Sequence, residues 1–300
     1  MAAPTSRSRL PSGISFCGML GARAPAPRAG GTLSPYHRGV PTPAPGARHP
    51  LDEILLYAAI GFLAQLVDGA IGMAYGLMAT SVLMAHAVPP AVASAGVHAA
   101  EVATTGLSGL AHWRLGHVMP RLMWRLALPG VAGGVAGALV AGSLPMHLLK
   151  PAVSLYLLAM GLLVLRRAVL GVAARNLPGG LRPAALGAAG GFLDAIGGGG
   201  WGPLVTSTLI GRGLDPKLAI GSSNAAEFFV TTAATAAFLT TIGIGIWPVV
   251  AGLVLGGALA APLAALATRH IPARPLMGMV GTVIVLLAGS ALGREFGLFG

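Results

Sequence analysis

The sequence predicts an all-α protein, a polytopic helical membrane bundle of two tandem repeats, inverted relative to each other, each opening with a glycine-broken helix pair. Composition is the first reason: 55% of residues are apolar, 9% are charged and the mean hydropathy is +0.79, whereas roughly a quarter of a soluble domain is charged. Second, apolar stretches recur near the ~20-residue length of a membrane helix, at 54–88, 91–112, 122–142, 147–165, 184–211, 218–242, 247–268 and 276–292. Third, Asp194 and Glu227 lie 126 positions beyond Asp68 and Glu101.

That shared offset is the strongest signal in the chain. Without a gap it also places Thr80 on Thr206, Ser81 on Ser207, Tyr75 on Trp201, Gly76 on Gly202 and His98 on Asn224. The chain has only eight acids, and four of the five inside the apolar region fall into these two pairs. Later the register slips by one, so that Pro145 meets Pro272. Ten-residue segments of alternating polarity are absent, which argues against a barrel and leaves helices as the spanning solution.

Residues 1–49 read as a disordered or targeting tail, rich in Arg, Pro, Ser, Ala and Gly and without an acid before Asp52; such a composition cannot bury a core. Membrane repeat 1 occupies 50–167, a cytoplasmic linker 168–182 and membrane repeat 2 183–300. The segment 54–88 is too long for one span and is interrupted at Asp68, Gly69 and Gly72. Its counterpart 184–211 carries Gly197 to Gly200 followed by Trp201, Gly202 and Pro203. A continuous helix through four glycines loses about 1 kcal/mol at each relative to Ala, so both segments read as short helices meeting at a break. Broken segments at matching positions of two halves point to a transporter binding site. Further along, Gly130, Gly133, Gly134, Gly137, Gly252 and Gly256 give the small-residue spacings that let helices approach closely.

Charge sets the orientation, because Lys and Arg gather in cytoplasmic loops. If each opening pair returns to its starting side, the halves are inverted. Eleven loop cations then lie inside, leaving Lys150 and Arg294 outside. A parallel arrangement splits the same residues eight to five, although the six arginines of the tail favour it. The net charge of +11 sits in the tail and short loops rather than on a basic face, so nucleic acid is not an expected partner. The single cysteine, Cys17, excludes an internal disulfide or a Cys-rich metal site.

His98 and Glu101 are three apart, as are Asn224 and Glu227, so each pair shares a helix face. An acid at the bilayer centre costs ~2.5–3.5 kcal/mol and usually faces a cavity or a partner. No Lys or Arg lies in the same spans to neutralise Asp68, Glu101, Asp194 and Glu227, which makes these four the candidate proton carriers. The breaks supply the complementary element, since half-helix N-termini present unpaired N–H groups to an anion. Gly72, Gly198, Gly199 and Gly200 are therefore candidates to hold an anion, His98 and Asn224 to orient it, and Ser222 and Ser223 to add hydroxyl donors.

The glycine-rich opening of each half with its Asp (Gly61 to Gly76 and Gly190 to Pro203), and the run Ile220-Gly221-Ser222-Ser223-Asn224-Ala225 with Glu227 following, resemble the TauE/SafE sulfite exporter family over about residues 54–293. The resemblance implies a multi-pass inner-membrane transporter of small sulfur-containing anions such as sulfite, thiosulfate or sulfonates. It implies neither substrate nor direction, because members differ in both. The two half-sites are unequal: Val97-His98 stands where the second half has Ser223-Asn224, and Ile71-Gly72-Met73-Ala74 where it has four glycines.

The expected function is thus proton-coupled transport of a small sulfur anion, with protons and lipid as the other partners, no cofactor and no metal site. A passive anion channel is the nearest alternative. A metal-ion transporter is weaker, since no regular ligand spacing is present. An intramembrane protease built on Gly106-Leu107-Ser108-Gly109 is weaker still, because Ala234 stands at the counterpart of Ser108.

Overall fold

The computed structural model describes residues 50–71, 73–171, 182–243, 246–267 and 273–298, all within the unit Leu33–Gly300. The tail reading for 1–49, most of the linker and Gly72 lie outside the described residues. Among those described there are only helices and their connections. The first half runs α1 (Pro50–Ile71), α2 (Tyr75–Ala85), α3 (Pro90–Arg114), α4 (Pro120–Ser143) and α5 (Met146–Leu170). The second runs α6 (Pro183–Gly197), a π-helical turn (Gly202–Thr206) leading into α7 (Ser207–Gly211), then α8 (Pro216–Thr241), α9 (Trp247–Ala267) and α10 (Ala273–Glu295). Each expected break is present, between α1 and α2 and between α6 and the π turn.

Local sequence explains the helix starts. Pro90, Pro120, Pro183 and Pro216 open their helices, where a missing N–H costs nothing and φ is already helical. Asp215 caps α8, accepting from the amides of Lys217 at 2.9 Å and Leu218 at 3.4 Å. Helices α4 and α5 and the stretch Met277–Glu295 are long and apolar enough to cross a membrane. Helices α3 and α8 carry the polar residues and bury them, while Leu55, Leu128, Leu155, Leu259 and Leu286 are more than half exposed on the outer helices. Polar inside and apolar outside is the pattern expected with lipid as the solvent.

Packing interlocks the halves. Helix α1 lies along α9 and α6 along α4; α3 lies against α8, and α5 against α10. The glycines explain the first two contacts. Gly61 sits against the carbonyl of Leu253 and Gly187 against that of Leu126, Gly133 against Ala188, and Gly256 against Ala58. Any side chain there would push the backbones apart, so these glycines are structural. The Gly61–Leu253 and Gly187–Leu126 contacts are related by offsets of 126 and 127, the one-residue slip visible in the sequence.

Candidate functional site

The two breaks are built alike. Asp68 Oδ1 accepts from the amides of Ala74 at 2.7 Å and Tyr75 at 3.1 Å, and Asp194 Oδ1 accepts from the amide of Trp201 at 2.9 Å. Each acid caps the helix that restarts seven residues later, satisfying donors that a helix start leaves unpaired. Between Asp194 and Trp201, Gly198 adopts a left-handed conformation with φ +67° and closes α6. The Cα of Gly199 packs directly on Gly76. The carbonyl of Gly198 accepts from the hydroxyl of Thr80, and that of Gly199 from Tyr156 at 2.9 Å. The second break is therefore clamped by α2 and α5 of the other half.

A cavity of about 380 Å³ opens beside these breaks. Its wall includes Gln65 and Asp68 of α1, Tyr75 and Gly76 of α2, Glu101, Thr104, Thr105, Ser108 and His112 of α3, Gly200, Gly202 and Pro203 of the second break, and Asn224 and Glu227 of α8. Both halves thus contribute. Three carboxylates line it and neither Lys nor Arg does, among the described residues; its one basic side chain is His112.

Of the residues singled out in the sequence, Asp68, Glu101, Gly200, Asn224 and Glu227 reach this wall, and His98, Asp194, Gly198, Gly199, Ser222 and Ser223 do not. The amides of Gly198 and Gly199 both donate to the Asp194 carbonyl, at 2.8 and 3.1 Å, and so are occupied within the helix cap. His98 is fully enclosed, with Nε2 3.2 Å from Asp194 Oδ2 and Nδ1 2.8 Å from the carbonyl of Ser94. Ser222 accepts from the amide of Met119 at 2.9 Å. Ser223 Oγ accepts from the Trp201 indole at 2.9 Å and from Thr206 at 2.7 Å.

The matched pair His98 and Asn224 does different work in the two halves. His98 reaches across to the acid of the second break, whereas Asn224 donates to Ser108 Oγ at 2.8 Å. Glu101 is 5% exposed, and its Oε2 has no hydrogen-bond partner. Thr105 and Thr231, again 126 apart, donate to the carbonyls of Glu101 and Glu227 at 2.6 and 3.0 Å. Sequence reasoning missed Gln65, Tyr75, Thr104 and Thr105 as wall residues. A signal existed for the threonines, which stand three and four positions beyond Glu101 on its helix face.

Broken helices beside an open cavity lined by carboxylates, in an apolar bundle, are the architecture of a membrane transporter. A family model described as "Sulfite exporter TauE/SafE" matches residues 57–291, and the chain belongs to this TauE/SafE family of membrane transporters; it is a multi-pass membrane protein and not an enzyme. It is 39% identical over 254 residues to the "Probable membrane transporter protein YtnM" of Bacillus subtilis (strain 168), covering 82% of this chain and 85% of that relative. No solved structure matches it.

Proposed function

We propose that the chain is a proton-coupled transporter of a small sulfur-containing anion, such as sulfite, thiosulfate or an organosulfonate, in the cell inner membrane. The observation that carries the coupling is the charge of the cavity. An anion 4 Å from one ionised carboxylate is repelled by about 4 kcal/mol at an effective dielectric constant of about 20, close to a thousandfold in affinity. Three carboxylates with neither Lys nor Arg on the described wall would exclude the substrate unless protons entered with it. A protonated carboxyl instead offers an O–H donor. Co-binding of proton and anion answers this charge problem, and a passive anion pore does not.

In this reading Asp68, Glu101 and Glu227 carry the protons. Asn224 and the backbone around Gly200 meet the anion. The recurring Asp caps and the paired glycine contacts support two repeats, 50–167 and 183–300, and the loop charges favour their inversion about a cytoplasmic linker at 168–182. Alternating access then follows from one repeat rocking against the other.

Flux of radiolabelled sulfite, thiosulfate and a small sulfonate into reconstituted vesicles tests this. Saturable accumulation of one of them under an imposed pH gradient is expected. Glu227→Gln should lower that accumulation by about tenfold or more while leaving exchange of labelled for unlabelled anion intact. A channel would give flux without accumulation and ignore the substitution. Ser108→Ala is expected to change flux by no more than about threefold, because Asn224 faces the cavity and can turn to water for the lost bond; abolition of activity would revive the nucleophile reading.

A further inference from the structure

We infer that His98 and Asp194 form a buried proton-storage site that communicates with the cavity through Glu101, so that the coupling proton is held at the second break and not at the first. This rests on the proton-coupled reading above and adds to it where a proton is held.

The contacts of the His98 imidazole fix where its hydrogens lie. His98 Nδ1 is 2.8 Å from the Ser94 carbonyl and 3.4 Å from Ser94 Oγ. The carbonyl only accepts. Ser94 Oγ has directed its own hydrogen to the Ala195 carbonyl at 2.6 Å, so it too can only accept. Nδ1 therefore carries a hydrogen, and a neutral ring would present a bare lone pair at Nε2. Yet Nε2 lies 3.2 Å from Asp194 Oδ2, an oxygen of a carboxylate whose other oxygen accepts from the Trp201 amide. Two lone pairs do not face each other in a dry interior at this distance. One further proton must lie between them, on nitrogen or on oxygen.

Both residues are sealed, at 0% and 1% exposure, so that proton has no direct route to water. Glu101 supplies one. A carboxylate oxygen of Glu101 lies, with ligand atoms of His98 and Asp194, in a cluster whose members are all within 4.8 Å of one another. Glu101 also lines the cavity and has an oxygen without a partner. A small rotation or one bridging water closes the gap. When the storage position is empty, a protonated Glu101 gives its proton to it and is left ionised; on release the proton returns to Glu101 and leaves by the cavity. The other groups around the cluster are Glu227 from α8, Asp68 from α1, Tyr156 from α5, whose hydroxyl donates to the Gly199 carbonyl, and the Phe238 ring 5.9 Å from that of His98. In the second half the residue at the His98 position is Asn224, which cannot take up a proton, so Asp68 lacks the equivalent store.

The test uses the full chain. Its first arm is 15N NMR of histidine-labelled protein in lipid, with His98→Asn to assign the signal. The second half of the chain itself uses Asn at this position. Nδ1 protonated, with Nε2 either protonated or accepting a strong hydrogen bond, supports the inference. Nδ1 bare and Nε2 protonated overturns it, whatever the flux result, as does a stoichiometric metal ion at this site in the purified protein. The second arm is sulfite transport by native, His98→Asn and Glu101→Gln proteins. Removing one coupled proton should lower the accumulation ratio about tenfold per unit of pH gradient, with exchange of labelled for unlabelled sulfite retained. Unchanged gradient-driven accumulation in both variants overturns the storage site and leaves proton coupling standing. If the native protein moves no sulfur anion, the functional proposal fails, and the NMR result decides the proton site by itself.

Discussion

Asp194→Ala is expected to destabilise the folded protein by about 3–5 kcal/mol, the cost of removing one partner of a buried pair. Two losses combine. The buried amide of Trp201 loses its acceptor, and His98 is left enclosed at 0% exposure with nothing opposite Nε2. Asp68→Ala provides the contrast. It removes a cap of the same design, held by two amides, but among the described residues no side-chain partner from another helix is lost with it, and the site faces the cavity. A loss of about 1–2 kcal/mol, that of an ordinary helix cap, is expected there. Thermal unfolding of the two variants in detergent, followed by tryptophan fluorescence, compares them directly. Equal losses would mean that the bond between His98 and Asp194 contributes nothing to the bundle.

Gly199→Ala is expected to abolish the native fold rather than weaken it. Gly199 has φ +147°, a conformation that L side chains rarely adopt, and a methyl group there would overlap the backbone of Gly76 and Leu77. Backbone atoms at the meeting point of two interlocked halves cannot yield as a flexible side chain does. Overpacking in a tight interior ordinarily costs ~1–3 kcal/mol; here backbone strain of similar size is added. Gly289→Ala is the control, because nothing lies within 4 Å of the position a methyl would occupy and α10 continues through it. It should be neutral or stabilise by up to about 1 kcal/mol. Size-exclusion profiles of the two variants in detergent should show a monodisperse peak for Gly289→Ala and aggregate for Gly199→Ala; a normal peak for the latter would show that the breaks do not meet as described.

The carboxylates show why part of the site was legible and part was not. Asp68 and Asp194 stood out because a cap is a local device, an acid and the amides it serves lying six or seven positions apart beside glycines that break the helix. Glu101 and Glu227 stood out because an acid inside an apolar span is expensive and therefore conspicuous. The same reasoning offered Gly198 and Gly199 as anion donors, since nothing local shows that their amides turn back to the Asp194 carbonyl. Ser222 and Ser223 looked like ligands by composition, yet their hydroxyls serve Met119, Trp201 and Thr206, partners on other segments.

What the sequence determined by itself is the set of properties that repeat along the chain: an apolar helical bundle, the position of each helix and break, and the family to which those motifs belong. Periodicity, composition and the offset of 126 positions are properties of neighbours and of register, and they survive without a fold. Only the tertiary structure decided which residues face the cavity and how the two half-sites differ. His98 meets Asp194 from 96 positions away and Asn224 meets Ser108 from 116. Those pairings depend on how closely the glycine faces of α1, α4, α6 and α9 let the halves interlock. A difference of one residue type at matched positions becomes a difference in hydrogen-bond partner only after the backbones have met.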